Sequence, residues 1–494
     1  MSPLVAVVIA YPLILIGVSI WRSRAVKGHD DFMVAGRSVP VYMLVGTLVC
    51  TWIGSGSLFG GAGLAYRSGI SELWFSFGAW LGLVVAYFIA GRVRRIAQYT
   101  VPDLLEQRYN AAARLLGTVA IVLAYVTIAA YQFRGGGWIL SIVTDNRISP
   151  EMGMYITAGA IVLFTVMAGM VSIVTVDVFN GIIITLAVVV TLPYMIFQLG
   201  GVGDVLQALP SEHTTVLGGH NVLWVLGVAM PTFLLLLGES GMYQKFFSAK
   251  DETAARKAVV GMVAGVVLIE TTLALVAIVG RAAFPDLAEQ TWLGDRAASE
   301  TIIMHIANTG LPTVMGAVLL AAAVAIVLST GNTFLLVPST NVSRDIFQRF
   351  IRRDASERAL LLVQRTSIVA FGALGIVLLT QFTGVLEMAL YAYSLVGASV
   401  TPVLLAAFLW KRVTPAGGVA CVAGGLGSIV GIKVLATLGV GFSATFGGST
   451  FDFASSDYIV IPGVLVSTGL LVTVSLLTKP SAPQKWAAFF ETGR

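Results

Sequence analysis

The chain has 494 residues, 57% of them hydrophobic and only 11% charged, with a formal net charge of +5 and a mean hydropathy of +0.89. Soluble domains carry about 25% charged residues, so this composition excludes a soluble enzyme, a disordered chain and a nucleic-acid-binding protein. The two cysteines, Cys50 and Cys421, lie in apolar stretches and offer neither a disulfide framework nor a cysteine metal site.

A bilayer core about 30 Å thick is crossed by roughly 20 apolar residues of helix, and thirteen such stretches follow one another. The first, 3–21, has no basic leader and no cleavage site before Arg22, and reads as a retained span rather than a signal peptide. The second, 39–66, contains glycines 54, 56, 60, 61 and 63. An interior glycine costs about 1 kcal/mol relative to alanine. Either these small residues let helices pack closely, or the helix unwinds near mid-membrane and frees backbone groups for a ligand.

The third stretch is 73–91. The fourth, 115–140, holds Arg134 beside Gln132 and three consecutive glycines, Gly135, Gly136 and Gly137. A guanidinium there suits a solute carboxylate, which it can bind in a bidentate way. The alternative is a structural pair with Glu239 or Glu270. The fifth stretch is 152–170; the sixth, 173–199, carries Asp177 near its start. The seventh, 222–243, is interrupted by Gly238-Glu239-Ser240-Gly241. The eighth, 258–280, has Glu270 at its middle, read as a packing hydrogen bond. Charges at membrane depth cost roughly 2.5–3.5 kcal/mol and mark function by default.

The ninth stretch, 311–342, carries Ser329-Thr330-Gly331-Asn332-Thr333. Such hydroxyls either bond back to the preceding turn or supply hard oxygen ligands to a small cation such as sodium. The tenth to thirteenth are 366–384, 388–410, 415–436 and 458–478, with Lys433 of the twelfth snorkelling to the interface. The longest connections are 200–221, 281–310 and 437–457, and the middle one is expected to hold short surface or re-entrant helices. No nucleophile–base pair or metal cluster is visible, so no enzyme activity and no cofactor are expected.

Counting sides from an outside N-terminus puts 24 of the 30 Lys and Arg residues, Lys245 among them, on the cytoplasmic face. The positive-inside rule then sets the N-terminus outside and the C-terminus inside a plasma membrane. The two interrupted stretches lie five spans apart. Five is odd, so blocks built around them sit inverted, and paired interruptions in inverted halves point to a transporter site. The blocks are 39–200 and 222–410, with 1–38 before them and 411–494 after.

These residues reach a known family. The stretches DFMVAGRSVP from Asp31, TWIGSGSLFGGAGLAYRSG at 51–69, TVPDLLEQRY at 100–109, VSIVTVDVFN at 171–180, YQKFFSAKD at 243–251, LSTGNTFLLVPSTNVSRDIF at 328–347 and LWKRVTPAGG at 409–418 resemble the sodium:solute symporter family over nearly the whole chain. The resemblance implies an all-α membrane protein of the leucine-transporter type, a five-plus-five inverted repeat with one extra N-terminal and two extra C-terminal helices. It also implies sodium-coupled import of a small organic solute, such as an amino acid or organic acid, by a protein working as a monomer in the lipid bilayer. By position it implies a sodium site from the carbonyls of Cys50, Ile53 and Ile326 and the hydroxyls of Ser329 and Thr330. A second sodium site from Asp177, Asn332 and Thr333 is implied for some members, with Asn332 here replacing a hydroxyl. The expected solute-facing set is Gly54, Ser55, Ser57, Gln132, Arg134, Glu239 and Ser240; of these the resemblance bears on Arg134, which matches an arginine that contacts the carboxylate in some members, and not on Glu239. Proton coupling on the same fold and a solute sensor are the alternatives.

Overall fold

The computed structural model describes residues 3–23, 34–96, 98–167, 170–287, 295–446 and 449–490. The segment with Arg24, Lys27 and the Asp31-Phe32 start of the first motif, the end of the fifth stretch at 168–169, and Arg494 lie outside the described residues. All thirteen apolar stretches are helical. Eleven helical segments among the described residues are long and apolar enough to cross a membrane, and the shorter apolar helices Pro3–Val18 and Val41–Trp52 fall in the first and second stretches.

Two kinds of surface explain this architecture. Without water in a bilayer, each backbone group must be satisfied within its own helix, so long helices replace sheets. Large apolar side chains such as Leu13, Phe88, Phe197, Leu465 and Leu477 remain exposed on the outside, where lipid rather than water is the solvent. Spans nine and eleven are the most deeply enclosed. Span nine packs against spans four and six, and span two against spans six and eight.

Both expected interruptions are present. In span two, Val41–Trp52 stops at Ile53 (φ −73°, ψ 97°), then resumes through a wide turn at Gly56–Gly61 into Ala62–Ser68. In span seven, Val222–Gly238 stops at Glu239 (φ −69°, ψ 102°) and restarts as Ser240–Ser248. The two breaks thus share nearly one backbone conformation. Packing dictates glycine at the first: a Cβ on Gly56 would lie 2.4 Å from the Tyr393 hydroxyl. Span eleven bends without breaking, Val385–Ser399 passing into Thr401–Leu409 through Val400, whose backbone stays helical. Pro402 in the first turn removes a backbone donor there, a signal the sequence reading passed over.

The connections lock the ends. Short helices Asp295–Glu300 and Ile302–His305 occupy the expected place in 281–310. The Glu300 carboxylate accepts from the backbone N–H groups of Val385 (2.7 Å) and Leu386 (3.1 Å), capping span eleven. The connection 437–457, read from sequence as a loop, contains a small antiparallel hairpin, Ser443–Phe446 with Ser449–Asp452. At the other end of the bundle, Arg114 reaches Asp103 (2.7 Å), Glu106 (2.6 Å) and Asp345 (2.6 Å), tying span four to the end of span nine.

Candidate functional site

The break in span two faces the hydroxyl run of span nine. Thr330 Oγ1 lies 3.3 Å from the Cys50 carbonyl and 3.1 Å from the Ile53 carbonyl, toward which it donates. These carbonyls are available because the helix ends at Ile53. Ile326, Ser329 and Thr330 stand at i, i+3 and i+4, one face of a helix, and all are buried. Three hard oxygens therefore converge with no sulfur or nitrogen ligand among them, a donor set suited to an alkali cation.

Ser329 faces a second partner. Its hydroxyl donates to Asp177 Oδ1 at 2.5 Å, and Thr47 donates to Asp177 Oδ2 at 2.5 Å. Lys245 completes this group. Its ammonium is 3.8 Å from Asp177 Oδ2 and donates to the Thr47 carbonyl at 2.8 Å and to the Thr51 hydroxyl. Lys245 is 0% exposed, which corrects its assignment to the cytoplasmic basic residues. The helix restarts after Glu239 and runs on to Ser248, so position 245 still lies inside the bundle. The signal was present in the sequence as four further apolar or aromatic residues beyond the break, Met242, Tyr243, Phe246 and Phe247.

The residues expected to form a second sodium site each have their own surroundings. Asp177 is held by Thr47, Ser329 and Lys245. Asn332 instead accepts from the Thr165 hydroxyl of span five at 3.0 Å. Thr333 Oγ1 is buried without a hydrogen-bond partner, its methyl 3.3 Å from where a Cβ on Gly241 would stand.

The solute-facing set divides by role. Gln132 Oε1 accepts from the Ser55 N–H at 3.0 Å, satisfying a donor that the broken helix has released. Gly54 is hemmed in: a Cβ there would stand 2.9 Å from Thr330 Cγ2 and 3.3 Å from Gln132 Nε2. Ser57 donates to Glu270 Oε1 at 3.2 Å, while Ser55 Oγ is buried with no partner. Arg134 pairs with neither Glu239 nor Glu270. Its Nη2 donates to the Leu379 carbonyl (2.7 Å) and the Phe382 carbonyl (2.8 Å) at the end of span ten, and its Nη1 is buried without an acceptor.

Glu239 caps the helix that begins beside it. Oε1 accepts from the Gly241 N–H at 2.8 Å, Oε2 from the Met242 N–H, and the Tyr125 hydroxyl donates to Oε1 at 2.8 Å. The Ser240 N–H donates to Tyr125 at 2.5 Å. An acid at a helix N-terminus is favoured by the orphan donors and the helix dipole, so this buried charge is accounted for by the break itself. Glu270, expected as a packing hydrogen bond, accepts from Trp52 Nε1 (2.9 Å), Trp80 Nε1 (2.9 Å) and Ser57. Lys433 lies 3.5 Å from Glu387 and over the Phe382 ring.

A broken helix presenting carbonyls to a hydroxyl pair is the geometry the motifs had suggested, and the family's sequence model matches residues 32–425. The chain belongs to the sodium:solute symporter family. Its relatives in this family include the sodium/proline symporter of Escherichia coli strain K12, 26% identical over 490 residues, covering 96% of this chain and 92% of the relative. The high-affinity proline transporter PutP of Bacillus subtilis strain 168 is 27% identical, covering 91% and 93%. Among solved structures, a Na+-coupled sialic acid symporter in a substrate-bound outward-open state superposes with a TM-score of 0.77 at 15% identity, over 97% of this chain and 99% of that one. The transporter MhsT in complex with L-phenylalanine gives 0.55 at 13% identity, over 89% and 98%. The fold of this symporter-family chain is accordingly that of the leucine-transporter type.

Proposed function

We propose that this protein imports a small organic solute by coupling it to one sodium ion per cycle, with its N-terminus outside and its C-terminus in the cytoplasm. The observation that carries the reading is the convergence of Thr330 Oγ1 on the carbonyls of Cys50 and Ile53, with Ser329 beside it. On binding, sodium sits between these oxygens, and the Thr330 hydroxyl, still protonated, turns its proton away and presents a lone pair to the ion. It is bound by the unwound end of span two on one side and by the Ile326 carbonyl and the Ser329 and Thr330 hydroxyls of span nine on the other. Occupancy therefore ties a moving broken helix to its scaffold, favours the outward-open arrangement and raises solute affinity. Departure of the ion to the cytoplasm frees span two to move.

The count of one follows from Lys245. An ammonium already neutralises Asp177, so a second sodium at that carboxylate would be placed beside a like charge in a poorly screened interior. The solute lies between the two broken helices, against Gly54, Ser55 and Ser57, with the free Nη1 of Arg134 available to a carboxylate. Purified protein in proteoliposomes tests the coupling. Solute uptake under an inward sodium gradient with an inside-negative potential should exceed uptake under an equal choline gradient. Equal accumulation in sodium-free buffer, driven by a pH gradient, would replace sodium by protons.

A further inference from the structure

Two buried carboxylates beside the break in span two have no counter-charge, and we infer that they form the receptor for a positively charged nitrogen on the solute. Glu72, at the head of span three, is 2% exposed and Glu270, in span eight, is 3% exposed. The two carboxylates act on each other electrostatically, and among the described residues neither forms an ion pair with a Lys or Arg. Of the buried cations, Lys245 is paired with Asp177, and Arg134 lies against the Leu379 and Phe382 carbonyls rather than against either acid. The inference rests on the symport reading given above, and extends it to the chemical class of the solute.

The two acids are furnished differently. Glu270 is held by two indole N–H groups and a hydroxyl. Glu72 has one donor, Ser76 Oγ at 3.1 Å on Oε1, and its Oε2 is buried with no hydrogen-bond partner at all. A buried carboxyl oxygen without a partner is costly, and an arriving N–H+ group supplies both the missing donor and the compensating charge. Glu72 Oε1 also stands 3.1 Å from where a Cβ on Gly61 would be, so this carboxylate abuts the half of span two that resumes after the break. Around Glu270, its donors Trp52, Ser57 and Trp80 are half-buried. The Phe75 ring stacks toward Tyr393 at 6.3 Å. Indole and phenol faces attract cations as carboxylates do. The combination selects an amine, an imine nitrogen in its protonated form or a quaternary ammonium, and it rejects an uncharged isostere because the acids would be left unpaired.

The test uses the purified full chain in sodium, and pairs of probes that differ at the nitrogen: L-proline against tetrahydrofuroate, L-alanine against L-lactate, and choline against neohexanol. Thermal shift and competition binding are read on wild type, Glu72→Gln and Glu270→Gln. The expected result is stabilisation by the nitrogen-bearing member of at least one pair and none by its counterpart. In Glu72→Gln the affinity for that member should fall about tenfold or more, with the sodium-induced shift retained as proof of folding. Equal binding of both members, unchanged preference in both variants, or no response to any nitrogen-bearing probe overturns the subsite. If the nitrogen-bearing probe binds equally well without sodium, the subsite stands and the symport reading falls.

Discussion

Replacing Lys245 by Met keeps the length of the side chain and removes its charge. Lys245 is fully enclosed, and its ammonium is the cation beside Asp177. Breaking a buried pair by removing one partner costs about 3–5 kcal/mol, unless another cation takes the vacated position. Asp177 retains the Thr47 and Ser329 hydroxyls, so the vacated position is lined with oxygen and suits sodium. The variant should therefore be unstable in choline chloride and recover in sodium chloride. The energetics of transport change with it. One charge crossing 100 mV contributes about 2.3 kcal/mol, and a tenfold gradient adds about 1.4 kcal/mol. One sodium thus supports roughly five-hundred-fold accumulation of a solute with no net charge, and two support about the square of that. In proteoliposomes held at a fixed gradient, Lys245→Met should steepen the sodium dependence from a Hill coefficient near about one toward about two, and raise the limiting accumulation ratio. An unchanged Hill coefficient together with stability indifferent to sodium would refute the argument that the lysine occupies the second cation position.

Two further outcomes separate roles within the site. Glu239→Ala should lower thermal stability by about 0.5–2 kcal/mol, the usual value of a helix N-cap, while Glu239→Gln, which still accepts a hydrogen bond, should lose less; competition binding should show little change in solute affinity for the glutamine variant. Arg134→Lys loses the double contact with the Leu379 and Phe382 carbonyls. If its free Nη1 also receives a solute carboxylate, affinity for carboxylate-bearing probes should fall by about tenfold or more while affinity for choline is kept; equal losses for both would make the arginine a brace for span ten only.

Much of this was legible from residue order. Apolar length gave the helices, and glycine clustering marked span two as either closely packed or unwound; the structure places the break at Ile53, with Gly56 giving room to the Tyr393 hydroxyl. The hydroxyl run of span nine stood out in the sequence, and the family resemblance singled out Ile326, Ser329 and Thr330 within it. Less visible was what each polar group would meet. Gln132 answers a donor freed 77 residues earlier, and Arg134 reaches carbonyls 245 and 248 residues away; contacts of that range have no periodic signature. Lys245 was misplaced because a basic residue near the end of an apolar run resembles a topology signal until the restart of the helix at Ser240 is known. Glu72 drew no attention because it sits at the edge of a span, where an acid is unexceptional.

Equilibrium binding of radioactive sodium to the purified protein tests the central claim most directly. Wild type should bind one sodium per chain. Thr330→Ala and Ser329→Ala, folded by the criterion of monodisperse elution and a cooperative thermal transition, should lose most of that binding. Wild-type sodium affinity in both variants would contradict the placement of the ion between spans two and nine.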